Sequence, residues 1–332
     1  MDHRLKVAVI IAAMNASATI TRAIISALAD QNVAEVIVVD DASSDDTAAV
    51  ARAADDGSNR LTVLVQPVNA GPAAARNRAV DASSSPLIAV LDADDFLLPG
   101  RFDALLAEDE WDFAADDILF VPADRALDPL PTITADKRPA STLGAAGFID
   151  GNISRRGRSR GEIGFLKPVM RRSFLEAHGL RYREQLRLGE DYEFYVRALL
   201  AGARYKVVHH CGYAAVVRAD SLSGRHRTED LRLLWQADLA LLALPMDADV
   251  RGALERHAGH IRKRYELRRF LDEKATDGLV RAGIAGLSRP RTLPGIASGI
   301  ASDKLETLLR RLDRRPAELP RHRQLSEGWR VG

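Results

Sequence analysis

The sequence predicts an α/β protein, a mostly parallel β-sheet flanked by helices, with a helical extension toward the C-terminus. Three observations predict it. Short β-branched runs alternate with helix-spaced segments through roughly the first hundred residues, the pattern of right-handed βαβ units. Two of those runs end in aspartate clusters, which puts acidic loops at the carboxyl ends of strands, where open parallel sheets bind ligands. After Gly224 the strand pattern gives way to long Arg-rich helical segments.

Val7 to Ala13 is apolar and reads as the first strand. Asn15 and Ser17 can end it and cap a helix carrying Ile20, Ala23, Ile24, Ala27 and Leu28 at helical spacing. Val36 to Val39 is a second strand, closed by the acidic loop Asp40 to Thr47, in which Ser43 or Ser44 can cap the next helix. Leu61 to Val65 is a third. Asn69-Ala-Gly71-Pro72 is a turn, with Pro72 placed to open a helix to about Asp81. Leu87 to Leu91 is a buried strand bounded by Pro86, and it runs into Asp92, Asp94 and Asp95.

Arg101 to Ala107 is helical in pattern and Asp117 to Val121 reads as a strand, followed by a proline-rich loop from Pro122 to Pro139. Ser154 to Arg160 is a short basic segment, either a solvated loop or a lid that grips anions. Ser173 to His178 is a short helix stopped at Gly179. Gly189 opens a helix through Glu190, Asp191, Phe194 and Leu200. Tyr205 to His209 and Tyr213 to Val217 read as two strands. Helices then cover Thr228 to Leu244, Val250 to about Leu271, and Ala301 to Leu312, before a polar tail after Pro316.

A chain of 332 residues with 46% hydrophobic content can bury a large core, in one large domain or two. A net charge of +1 argues against a general nucleic-acid binder. The charge is unevenly spread: Asp is frequent in the first part, whereas Arg dominates from about Arg155 on. Cys211 is the sole cysteine, so neither an internal disulfide nor a cysteine-based zinc site can form. The first apolar run is too short for a leader and no stretch is long enough to span a bilayer, so the expected location is cytoplasmic.

The chemistry concentrates at Asp92-Ala93-Asp94-Asp95. In an extended segment Asp92 and Asp94 point the same way. Two hard oxygen ligands on one side suit a divalent cation, and Mg²⁺ is commonly held by one or two carboxylates with substrate phosphates and water. A polar turn after a strand is the plain alternative.

Several motifs together resemble family 2 glycosyltransferases of the GT-A fold, over roughly Val7 to Ser223. Val-Ile-Ile-Ala-Ala-Met-Asn15 resembles that family's opening strand. Val-Val-Asp-Asp-Ala-Ser-Ser-Asp45 resembles its uracil-contacting loop, and Asn69-Ala-Gly-Pro-Ala-Ala-Ala-Arg-Asn77 its Asn-x-Gly…Ala-Arg-Asn segment. Leu-Asp-Ala-Asp-Asp95 resembles the metal-binding Asp-x-Asp, and Gly-Glu-Asp191 the Glu-Asp pair that supplies the base. Among its members the sequence is most similar to enzymes of bacterial exopolysaccharide synthesis of the succinoglycan type. One departure stands out: the family's aromatic residue in the first loop is Met14 here, and Ala12 and Ala13 replace its usual Pro and polar residue.

The resemblance implies a catalytic domain over residues 1–225, with nucleotide-sugar binding in 1–100 and the acceptor side and base in 101–225, and an Arg-rich helical region over 226–332. It implies transfer of a hexose with inversion, from a nucleotide-sugar donor such as UDP-glucose to a glycan or lipid-linked oligosaccharide acceptor. Asp94 is then the main ligand of a divalent metal, Mn²⁺ or Mg²⁺, with Asp92 nearer the ribose. Ala12, Met14, Asn15, Asp41, Arg76, Ala93 and Arg218 line the nucleotide, and Asp191 is the general base with Glu190 beside it.

Each role has a structural alternative. Arg76 could be an exposed helix residue. Glu190 and Asp191 could simply favour the positive end of the helix they open. His209 is a candidate third metal ligand or a hydrogen-bonded structural histidine. On a strand His209 and His210 face opposite ways, so at most one meets the site. Arg218, Ser221 and Ser223 form a lid over the diphosphate or an ordinary turn. Lys167 and Arg171 fall on the acceptor side, to meet an anionic lipid diphosphate or solvent. The Arg-rich helices suit packing on the catalytic domain or a second subunit in a homodimer, or peripheral contact with the inner membrane.

Rival functions fare less well. A nucleotidyltransferase needs a Gly-rich, basic loop after the first strand, where this chain has Ala-Ala-Met-Asn. A haloacid-dehalogenase-type phosphatase carries its Asp-x-Asp on the first strand, followed by Thr. A non-catalytic nucleotide-sugar binder or assembly subunit would have no need of both base and metal candidates.

Overall fold

The computed structural model describes residues 6–108, 110–125, 140–153, 163–217, 227–287 and 323–324, with side chains of the last long helix to Gly278. The chain divides into two compact units, Met1–Ala219 with Arg321–Gly332, and Asp220–Pro320.

The first unit begins with the alternation expected. Strand β1 (Val7–Ala13), helix α1 (Ile20–Leu28), β2 (Val33–Asp40), α2 (Thr47–Ala53), β3 (Leu61–Val65), α3 (Pro72–Ala82) and β4 (Leu87–Val90) follow one another. These four strands pair in parallel, in the order β3-β2-β1-β4. β1 and β4 are buried along almost their whole length, which is why they read as unbroken apolar runs rather than alternating ones. α3 lies against β1 and β2. Its Ala73, Ala74 and Ala75 are small and buried, so the helix comes close to the sheet and carries the next residue, Arg76, into the interior.

Beyond β4 the sheet becomes mixed. Short β5 (Phe96–Leu97), helix α4 (Arg101–Leu105), β6 (Phe113–Pro122), β7 (Ser141–Thr142), α5 (Ala145–Gly151), β8 (Val169–Arg171), α6 (Arg172–Ala177), α7 (Glu190–Leu200) and β9 (Tyr205–Val217) complete it. β8 pairs antiparallel with β4 and with β6, while β6 and β9 are parallel. Residues Tyr205 to Val217 form one strand where the sequence suggests two. The register against β6 slips between Val208 and Cys211, and this irregularity falls on the polar His209-His210 step that interrupts the apolar pattern.

A buried ion pair crosses this part of the core. Arg101, fully buried on α4, meets Asp116 on β6 at 3.0 Å, and its guanidinium lies 5.1 Å from the centre of the Tyr213 ring. Gly212 makes room for the pair, since a Cβ there would lie 2.4 Å from Arg101 Cγ and 2.5 Å from Asp116 Oδ2.

The second unit holds α8 (Thr228–Leu242) and α9 (Ala248–Leu287), broken at Gly278. They pack through Leu231, Leu234, Leu241, Leu254 and Ile261. Between them His257 and Asp238, both buried, meet at 2.8 Å. Strand β10 (Arg323–Gln324) belongs to the first unit and pairs antiparallel with β6. Among the described residues no helix is long and apolar enough to cross a membrane.

Candidate active site

The carboxyl ends of β1, β2 and β4 share one edge of the sheet, and three loops meet there. The first follows β1. Asn15 adopts a left-handed backbone conformation, φ 50°, which Asn tolerates better than most residues. Its N–H donates to Ser43 Oγ and its Oδ1 accepts from the Ser44 N–H, both at 2.8 Å. Ser43 and Ser44 therefore tie the two loops together and do not cap α2, whose first residue Thr47 bonds to Asp45. Ala42 also sits at positive φ, 57°, a cost tolerated beside ligand sites.

Asp41 is the centre of the second loop. Its Oδ1 accepts from Gln66 Nε2 at 2.6 Å and the Ala70 N–H at 2.7 Å. Its Oδ2 accepts from the Gly71 N–H at 2.8 Å and Asn69 Nδ2 at 3.0 Å. The Asn-Ala-Gly turn thus folds around this carboxylate. Met14 is 54% exposed, with its sulfur 2.9 Å from Asn69 Nδ2.

The third loop follows β4. Asp92 to Asp95 do not continue as an extended segment, so the same-side argument for Asp92 and Asp94 does not apply. The chain turns, with the Asp95 N–H donating to Asp92 O at 3.1 Å. Tyr213 on β9 locks the turn, accepting from the Asp92 N–H at 3.1 Å and donating to Asp95 Oδ2 at 2.7 Å, while the Val216 N–H reaches Asp95 Oδ1 at 2.8 Å. Burial and the negative charges of Asp92 and Asp94 push the Asp95 carboxyl up to about 8.

At the centre two carboxylates and two cations close a ring. Arg76 donates to Asp92 Oδ1 and Asp191 Oδ1, each at 3.0 Å. Lys167 Nζ lies 2.9 Å from Asp92 Oδ2 and 2.9 Å from Asp191 Oδ2. Arg76 also holds Glu190 at 2.9 Å. Arg76 and Lys167 are buried, Asp191 nearly so, and Asp92 keeps a third of its side chain exposed. Burial alone would raise the Asp92 carboxyl, but Lys167 and Arg76 hold it well below the usual range. Burial alone would lower the Lys167 ammonium, but Asp191 and Asp92 raise it. Glu190 is pushed up by burial and by Asp191, against the pull of Arg76.

The ring brings together residues that the sequence reading assigned to opposite sides. Arg76 is neither exposed nor in a surface pair. Glu190 and Asp191 do open α7, and their side chains also turn inward to Arg76. Lys167 lies buried between the acids rather than in solvent, its carbonyl held by the buried Arg101. Arg171 covers the Trp111 ring and bonds to its carbonyl. Asn77 donates to Tyr182 O at 2.9 Å and accepts from its N–H, fixing the segment ahead of α7. The Arg-Asn dipeptide thus carries two jobs, one on the acids and one on the chain that delivers Asp191.

His209 does not join this centre. Its Nε2 lies 3.2 Å from Ser141 Oγ on β7, and among the described residues no three His, Cys, Asp or Glu side chains converge as metal ligands. The strand irregularity at His209 sets its ring on the β7 side. Ala12 and Ala93 flank the loops, Ala93 buried. Arg218, Ser221, Ser223 and the basic segment from Ser154 to Arg160 lie outside the described residues. Arg187 is the residue sequence reading missed; Lys167 was named there, but not as a partner of Asp92 and Asp191. Arg187 stands in a polar loop, which gave no signal.

Comparison with known proteins identifies the family. The family model described as glycosyl transferase family 2 matches residues 8–176. The chain is 56% identical over 301 residues to the succinoglycan biosynthesis protein ExoU of Rhizobium meliloti (strain 1021), across 90% of this chain and 88% of that protein. It is 35% identical over 159 residues to ExoO of the same organism, across 47% of this chain and 44% of that protein. Among solved structures it is similar in fold to S. aureus TarS in complex with UDP-GlcNAc, with a TM-score of 0.57 and 20% identity, over 82% of this chain and 74% of that one. The mostly parallel sheet flanked by helices is the GT-A arrangement, and the chain is a glycosyltransferase that belongs to glycosyl transferase family 2.

Proposed function

We propose that the enzyme transfers a hexose with inversion from a nucleotide-diphosphate sugar to a glycan or lipid-linked oligosaccharide in exopolysaccharide synthesis. The observation that supports this reading is the ring of Arg76, Asp92, Lys167 and Asp191, in which the carboxylates we assign to the donor side and to the base share one ammonium. The likeness to a succinoglycan biosynthesis protein supports the product class. That TarS was solved with UDP and UDP-GlcNAc makes UDP the first nucleotide to test.

In this reading Asp191 takes the proton of the acceptor hydroxyl as that oxygen attacks the anomeric carbon. Each oxygen of Asp191 accepts one bond within the ring, and a carboxylate has about four lone-pair sites, so capacity remains for the hydroxyl. Arg76 and Lys167 keep the carboxylate aimed, and Glu190 orients the acceptor. Direct attack inverts the configuration, giving a β-linked product from an α-linked donor.

The donor set suits a divalent cation, since Asp92 and Asp94 offer hard carboxylate oxygens at the loop after β4. Asp94 would be the main ligand of Mn²⁺ or Mg²⁺ and Asp92, engaged by two cations, a secondary one. When bound, the ion neutralises charge on the leaving diphosphate.

The test is Asp191→Asn. UDP affinity by calorimetry should stay within about twofold of the parent, while transfer falls by a factor on the order of 100 or more. Near-normal turnover would place the base elsewhere.

A further inference from the structure

Three side chains converge on the carboxamide of Asn69. Its Nδ2 meets Asp41 Oδ2 at 3.0 Å and the Met14 sulfur at 2.9 Å, and its Oδ1 accepts from Arg187 Nη1 at 2.8 Å. Arg187 comes from the segment just ahead of α7, more than a hundred residues away in sequence. Its guanidinium rests over the Asn-Ala-Gly turn. A Cβ on Gly71 would lie 3.4 Å from its Cζ, and Gly71 has φ +93°, so only glycine both adopts that backbone and leaves the guanidinium its place.

The edge formed by Asp41, Asn69 and the turn is polar, and the Asn69 Nδ2 hydrogen that rests on the Met14 sulfur, a weak acceptor, can turn to the edge of a planar ligand. That edge offers no surface for the ligand's face. Met14, 54% exposed, gives a flexible apolar side. Arg187 gives a planar, permanently charged one, and a guanidinium stacks on aromatic rings where a lysine ammonium cannot. Arg187 is exposed and its contact with Asn69 uses one nitrogen, so the guanidinium is accessible to a ligand.

We infer that Arg187 is a binding residue for the nucleobase of the donor, packing its guanidinium against the base held at Asp41 and Asn69. This inference rests on the reading that a nucleotide sugar binds here, and it assigns recognition of the base to a residue delivered by the acceptor half of the unit. The segment that presents Asp191 would then also sense whether the nucleotide is in place.

The experiment is calorimetric titration of the full-length parent, Arg187→Ala and Arg187→Lys with uridine, UMP and UDP, each with and without Mn²⁺. Circular dichroism checks that the variants are folded. Arg187→Ala should weaken all three ligands by a similar factor, about five- to thirtyfold, the range of a cation–π contact of about 1–2 kcal/mol. Arg187→Lys should lose most of the same factor, because it retains the charge and lacks the plane. Unchanged affinity in Arg187→Ala overturns the inference. So does a loss confined to UDP, which would make Arg187 a diphosphate contact, or full retention by Arg187→Lys. A parent that binds none of the three ligands defeats both the inference and the proposed donor, whereas a binding parent with an unaffected variant defeats the inference alone.

Discussion

Replacing Lys167 with Met opens the charged ring while keeping the volume of the side chain nearly constant. The Lys167 side chain is 6% exposed, and its ammonium sits 2.9 Å from an oxygen of Asp92 and 2.9 Å from one of Asp191. Its removal leaves Arg76 as the remaining cation of the ring for both acids. Stranding a buried charge by removing its partner costs roughly 3–5 kcal/mol. Asp191 bears the larger share at 12% exposure, while Asp92, at 33%, recovers part of the loss from water. The expected destabilisation is therefore near the lower end, about 3 kcal/mol, or roughly 6–12 °C in Tm for a domain of this size. Urea unfolding of parent and variant at neutral pH measures it. Adding Asp92→Asn should restore about 1 kcal/mol, because one stranded charge is then gone and the two changes are coupled. A Lys167→Met variant within about 0.5 kcal/mol of the parent, or strictly additive behaviour in the double variant, would refute the ring as a structural unit.

Two further outcomes follow from the same geometry. Asp94→Ala should remove the gain in UDP affinity that Mn²⁺ confers and leave metal-free UDP affinity unchanged, as read by calorimetry; a metal effect that persists would assign the ion to other ligands. Gly212→Ala should destabilise the fold by about 1–3 kcal/mol, because the added Cβ meets Arg101 and Asp116 at 2.4–2.5 Å. A neutral result in thermal unfolding would show that the pair can shift.

Much of the fold was legible because its signals are local. Buried parallel strands must be largely apolar, so β1, β2 and β4 stand out as runs, and each gives way to a polar loop within two residues. Pro72 marks a helix start through its fixed φ, and Gly189 through its freedom to adopt the left-handed backbone, φ 71°. The acidic loops were legible for the same reason. The bulged strand β9 was not, because a register shift depends on the partner strand and leaves only a polar dipeptide as its trace. Nor was the turn at Asp92, where Tyr213, more than a hundred residues on, decides the backbone path.

The sequence by itself determined which chemistry is present: carboxylates at the ends of parallel strands, an Arg-Asn pair on a helix of small residues, and a Glu-Asp pair at a helix start. Those are fixed by residue type and short-range spacing. Only the tertiary structure decided the partners. Lys167 neutralises Asp92 and Asp191 rather than facing solvent, His209 turns to Ser141 rather than to the acids, and Arg187 closes on Asn69. The reason is that Coulomb attraction and hydrogen bonding act over a few ångströms of space, whatever the separation along the chain, and burial makes an unmatched charge too costly to leave. Sequence spacing names the charges, and the packing of β8, α3 and α7 selects which of them meet.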